Sequence, residues 1–155
     1  MHREERKLRQ ANREYLHSFQ FNDPCAATLT MKQRVDSVEL DRIICSRNFR
    51  PFSNRLNKAI LGNSFTRYGN RIPIIPVLER NYSQRYHYHT AIDRPHQVSR
   101  DDFKEIVTDC WSRTLWGYRE IDFQFEMSPG WINYIIKLAT KDSDSIDWQN
   151  LHRDC

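Results

Sequence analysis

Apolar residues recur along this chain with two different periods, and the changes between them lay out its elements. CAATLTMK, residues 25–32, alternates Ala27, Leu29 and Met31 with Thr28, Thr30 and Lys32, the mark of a half-buried strand. Residues 38–61 read as a helix with a bend or restart near Pro51 and a stop at Gly62. IPIIPVLER, 72–80, is strand-like, and its Pro73 and Pro76 demote it to a sheet edge. A polar tip at 81–84 turns it into RYHYHTAID, 85–93, another alternating stretch. Ser99 with Asp101 and Asp102 opens a helix to about Thr114, and IDFQFEM, 121–127, alternates as a fourth strand. Ser128 as cap and Pro129 in the first turn predict a last helix through GWINYIIKLATK. HREERKLRQANREYLHSF predicts a first helix with Leu8, Ala11, Tyr15 and Phe19 on a weak apolar stripe.

The order is β-α-β-β-α-β with a helix added at each end. This is an α+β chain with the split β-α-β arrangement of ferredoxin-like antiparallel sheets. That arrangement puts the first and third strands in the centre and the proline-bearing second strand at an edge. Thr28 and Thr30 then lie beside the strand that carries His87 and His89. With 155 residues the chain has room for one domain with its own core. We expect a single domain over 1–155, made of a helical extension at 1–22, a core at 25–141 and a tail at 142–155.

Composition narrows the class. No apolar run approaches the roughly 20 residues of a membrane span, and MHREERKLRQ lacks the apolar stretch of a signal peptide, so the expectation is a cytoplasmic protein without a membrane partner. Cys25, Cys45, Cys110 and Cys155 are scattered with no C-x-x-C pair, which points to reduced structural thiols. The net charge of +4 conceals an asymmetry: residues 1–71 carry 14 Lys and Arg against 7 Asp and Glu, and residues 72–155 carry 10 against 13. A basic half is either a solvated helical surface or a footprint for nucleic-acid phosphates.

The chemistry concentrates in two places. His87 and His89 sit at i and i+2 of a strand and point the same way, and Glu79 can approach His87 across the hairpin. Pairing Glu79 with His87 requires a three- or five-residue loop around Ser83, or a bulge that restores the register. Two imidazoles and a carboxylate leave coordination positions open, as an ion that grips a phosphate requires. Mn²⁺ suits the imidazole nitrogens and Mg²⁺ is the more abundant choice. On the last helix Tyr134 and Lys137, three residues apart, share a face, while Ile132, Ile135 and Ala139 supply the buried stripe. An ordinary tyrosine is only about one part in a thousand phenolate at neutral pH, so a neighbouring cation has an evident use if the hydroxyl is a nucleophile. Chance produces H-x-H about 0.2 times and Y-x-x-K about 0.3 times in a chain of this makeup, so neither decides alone; with a glutamate at a set offset the joint expectation falls below about 0.01.

Taken in order, these motifs resemble the HUH endonucleases, and within them the single-tyrosine rolling-circle replication initiators. Ala27-Thr28-Leu29-Thr30 resembles the family's first motif, His87-Tyr88-His89 the histidine pair, Tyr134 to Lys137 the nucleophile motif, and Glu79 the third metal ligand. The resemblance spans about residues 25–141. Histidines preceding the tyrosine favour a replication initiator over a conjugative relaxase. It departs from the pattern in having Tyr88 between the histidines, and in having no helicase domain after the tyrosine.

The resemblance implies sequence-specific nicking and rejoining of single-stranded DNA through a 5′-phosphotyrosine on Tyr134, supported by Lys137. It also implies Mn²⁺ or Mg²⁺ held by Glu79, His87 and His89, and unwinding by a separate host helicase. Thr28, Thr30, Lys32, Arg47, Arg50, Arg55 and Lys58 are the candidate DNA contacts. A transposase with the same chemistry is one alternative. A non-catalytic nucleic-acid module is another, although that class stacks bases on aromatics of the central strands, and Tyr86 and Tyr88 alternate away from the histidine face.

Overall fold

The computed structural model describes residues 2–80, 83–125, 129–141 and 145–153. Helix α1 (Arg3–His17) precedes strand β1 (Pro24–Met31), a small hairpin of β2 (Arg34–Val35) and β3 (Val38–Glu39), helix α2 (Arg42–Leu61) and the short α3 (Asn63–Thr66). Strands β4 (Ile74–Arg80) and β5 (Tyr86–Asp93), helix α4 (Arg100–Ser112), strand β6 (Gly117–Gln124) and helix α5 (Pro129–Lys141) follow. The four long strands form one antiparallel sheet in the order β4-β5-β1-β6, with the first and third central as the sequence pattern requires.

Strand alternation divides the apolar residues between two cores. Cys25, Ala27, Leu29 and Met31 of β1, Ile74 and Leu78 of β4, and Tyr88 and Ile92 of β5 face α2 and α4, whose Phe49, Phe52, Leu56, Phe103 and Trp111 complete the larger core. On the other face Ile75 and Val77 of β4 and Ala91 of β5 meet Leu16 and Phe19 from the α1 end and Ile135, Ile136 and Ala139 of α5. Glu79, His87 and His89 continue this second set of positions toward the other end of the same strands.

The predicted cap at Ser99 is made: its side chain accepts from Asp102 N–H. Asp41 does the same for Ile44 and starts α2 later than the 38–61 pattern suggests. Residues 34–39 instead fold back as β2–β3, with Asp36 at φ 53° in the turn, where an aspartate is tolerated. Pro51 lies inside α2 without ending it, because Phe49, Phe52 and Leu56 are buried on both sides of it. The expected stripe on α1 is corrected: Leu8 and Tyr15 are exposed, and Leu16 with Phe19 anchors the helix. Strand β6 begins at Gly117, so Tyr118 belongs to a strand rather than a loop. Ser128, expected as the cap of α5, lies outside the described residues, as does Cys155. Cys25, Cys45 and Cys110 are buried free thiols, and burial pushes Cys25 and Cys45 each up to about 12.

The prolines of β4 are accommodated by its outer edge. Ile74 and Leu78 donate their N–H groups away from β5, to His152 and Ser145. Pro76 has the same orientation, so its missing N–H falls on that side, while its carbonyl still accepts from Asp147 N–H. Residues 145–152 thus cover the edge that the prolines leave short of donors.

Candidate metal and nucleophile site

Local pairing brings three potential ligands together. Thr28 stands opposite His89 and Thr30 opposite His87 on one side of β5, while Val77 and Glu79 stand opposite the same histidines on the other. Arg80 pairs with Tyr86, which leaves five residues, 81–85, in the connection, one of the two loop lengths the register demands. Gln84 holds φ 64°, and its carbonyl accepts from the Arg80 guanidinium. Gln33, beyond the end of β1, clamps the start of β5: its Oε1 accepts from Tyr86 N–H and its Nε2 donates to Tyr86 C=O. His87 is therefore held by backbone pairing on both sides.

His87 Nε2 and His89 Nε2 lie 2.8 Å apart, one ring donating to the other. Glu79 closes the group, with Oε2 3.3 Å from His89 Nε2 and Oε1 3.9 Å from His87 Nε2. All three ligand atoms fall within 4.8 Å of one another, the single such grouping among the described residues. Adjacent ligands of one octahedral ion at ~2.1 Å lie about 3 Å apart, so these separations suit three neighbouring positions of a small divalent ion. Both histidine side chains are mostly buried and Glu79 is partly exposed, so the open side faces solvent. Burial, and then the charge of His87, hold His89 below the ordinary imidazole value, against the opposing pull of Glu79. A neutral ring is the form that binds metal. Thr28 Oγ1 lies 3.5 Å from His89 Nδ1, on the side away from the cluster, where it favours the Nδ1–H tautomer and leaves Nε2 free to coordinate.

The other candidates are placed as follows. Tyr134 and Lys137 are exposed on α5, and Ile135, Ile136 and Ala139 are buried against the face of the sheet that carries the cluster. The side chain of Ile132 lies outside the described residues. Thr30 spends its hydroxyl on Glu120 C=O at the irregularity between Leu29 and Met31. Lys32 follows β1, its N–H bonded to Trp116 C=O. Arg47, Arg50, Arg55 and Lys58 lie on α2, which packs on the opposite face, so the structure does not bring them to the cluster. One neighbour escaped the sequence reading: Asp122 of β6 stands opposite Thr28, exposed on the cluster's face. The alternation of Ile121 and Phe123 already held that signal.

A ferredoxin-like sheet with an imidazole–carboxylate cluster on one central strand and its neighbour defines a class of candidate metal proteins rather than a single activity. The family follows from comparison: a model of the replication-associated protein ORF2 family matches residues 24–143, most of the chain, and this chain belongs to that family. No curated protein and no solved structure matches it. Membership connects the chain with replication and hence with nucleic acid. No helix among the described residues is long and apolar enough to cross a membrane.

Proposed function

We propose that this protein is an HUH-type endonuclease that nicks and rejoins single-stranded DNA to initiate rolling-circle replication of a plasmid or phage. The observation that carries the reading is the convergence of Glu79, His87 and His89 on the sheet face that α5 packs against. The chemistry then runs on this chain's own groups. The Tyr134 hydroxyl gives up its proton and its oxygen attacks the scissile phosphorus. The bond to the 3′ oxygen breaks, that oxygen leaves as a 3′-OH, and the 5′-phosphate stays on the tyrosine. Lys137, one turn on, supports the negative charge on the attacking oxygen. A divalent ion, Mn²⁺ or Mg²⁺, bound by Glu79, His87 and His89 polarises the phosphate and offsets charge developing on it. Thr28 orients His89 for that task. Because the phosphotyrosine conserves the energy of the broken bond, a later 3′-OH reverses the step and rejoins the strand.

Family membership favours replication over a transposase with the same chemistry. A base-stacking module is disfavoured because the central strands present Thr28, Thr30, His87 and His89 on this face, while Tyr88 is fully buried on the other. The test is incubation with a pool of single-stranded DNA and Mn²⁺, followed by separation of protein–DNA adducts under denaturing conditions. A covalent adduct that forms with Mn²⁺ and not with EDTA is expected. An adduct undiminished in EDTA overturns the metal assignment, and no adduct in any divalent ion overturns the endonuclease.

A further inference from the structure

Leu78, the residue before Glu79 on β4, turns its side chain to the opposite face and lines a cavity of about 480 Å³. That volume is within the roughly 300–1,000 Å³ typical of small-ligand sites. The remaining walls come from Ile43 and Arg47 in the first turns of α2, from Tyr88, and from Asp147 and Trp148 in the segment that covers β4. Three features specify what fits it. Trp148 is 45% exposed although its indole rests on Tyr15, ring centroids 6.1 Å apart, so an aromatic surface is already held in place. Ile43 across the opening is 64% exposed, a large apolar side chain that the fold leaves in water. Asp147 accepts hydrogen bonds from Tyr88 at 2.8 Å, from Ser46 at 3.0 Å and from Asn150 at 2.7 Å, which fixes a carboxylate in the wall. An anion is therefore repelled from the interior and drawn to the exposed Arg47 at the rim.

An uncharged flat ring with a phosphate attached has this complementarity. We infer that the cavity seats a nucleobase of the single-stranded substrate, stacked on Trp148, with an adjoining phosphate on Arg47. The proposal rests on the single-stranded DNA reading above and adds a second foothold, around the rim of the sheet from Glu79. Trp148 lies beyond the matched region 24–143, so the family match does not supply this foothold. Aromatic stacking combined with a cationic track is how sequence-tolerant single-strand binding is achieved.

The test uses the full chain, a fluorescent mixed-sequence single-stranded 20-mer, and EDTA throughout, so that binding is read without metal-dependent chemistry. Trp148→Ala should weaken binding roughly 5- to 150-fold and Trp148→Phe should hold it within about threefold. Arg47→Glu, an exposed change that keeps the fold, should weaken binding and lower the salt dependence by about one counterion. If Trp148→Ala and Arg47→Glu, each with a wild-type circular dichroism spectrum and melting transition, bind like the wild type, the cavity is not a nucleotide site. Adduct formation by the wild type is scored separately. Adduct formation with unaltered binding by both variants overturns the cavity assignment alone. Weakened binding without any adduct sustains the cavity and overturns the endonuclease.

Discussion

Glu79 stands directly opposite His87 across the β4–β5 hairpin, so that its carboxylate reaches both His87 and His89 from the neighbouring strand. Removing that carboxylate should weaken Mn²⁺ binding by more than about tenfold, because even outer partners of metal ligands contribute 10- to 100-fold. Titration calorimetry of Glu79→Ala against the wild type checks this, and equal affinity removes Glu79 from the metal site.

His89 gives the metal-free protein a pH dependence with a definite sign. Burial and the charge of His87 depress its folded value, whereas the unfolded chain takes up the proton near ~6.5. The stability associated with the neutral ring is therefore complete above ~6.5, and is lost as pH falls from there through the lowered folded value. Thermal melts in a chelator should show Tm falling as pH drops from about 7 toward the lowered His89 value, and falling less in His89→Asn. A wild-type melt flat through that window contradicts the burial argument.

The nucleophile is testable residue by residue. Tyr134→Phe should abolish the covalent adduct while changing stability by less than about 0.5 kcal/mol, since the side chain is exposed. Tyr118, exposed on β6, is the competitor, and Tyr118→Phe should retain the adduct. Mass spectrometry of a trapped reaction locates the nucleotide, and its appearance on the Tyr118 peptide reassigns the role. His87→Ala should likewise lose cleavage while losing far less DNA affinity, because phosphate contacts by Lys and Arg supply most non-specific binding.

Tyr88 fastens the C-terminal segment to the sheet through Asp147, and the buried hydroxyl is held far above the ordinary tyrosine value, by burial first and then by that carboxylate. Tyr88→Phe removes a hydrogen bond to a charged acceptor and should cost about 1.5–3 kcal/mol in urea unfolding. Hydrogen exchange should quicken at Leu78 N–H, which is bonded to Ser145. Unchanged exchange there means that the segment is held by its other contacts.

Gly117 has no room for a side chain. A Cβ there would lie 2.2 Å from the Trp111 carbonyl oxygen and 2.6 Å from Thr114 Oγ1. Gly117→Ala should destabilise the fold by about 1–3 kcal/mol or more, because the closest clash is with backbone that cannot rotate away. A melting temperature equal to that of the wild type counts against the packing at this corner.

The amino-acid sequence by itself determined the strand faces, the strand order and the company of Glu79, His87 and His89. Each of these follows from a period of two and the register of one hairpin, which are local properties of the chain. Caps at Asp41 and Ser99 act within a few residues, yet the pattern from 38 onward hid the cap at Asp41, because apolar Val38 and Leu40 serve a turn as readily as a helix. Tertiary structure alone decided that α2 crosses to the far face and takes Arg47, Arg50, Arg55 and Lys58 with it. It also decided that α5 lies over the cluster's face, that Gln33 clamps the start of β5, and that Asp147 and Trp148 return to cover β4. Contacts between residues far apart in the chain depend on which core each helix completes, and composition and charge along a single helix carry no record of the face of the sheet that will receive it.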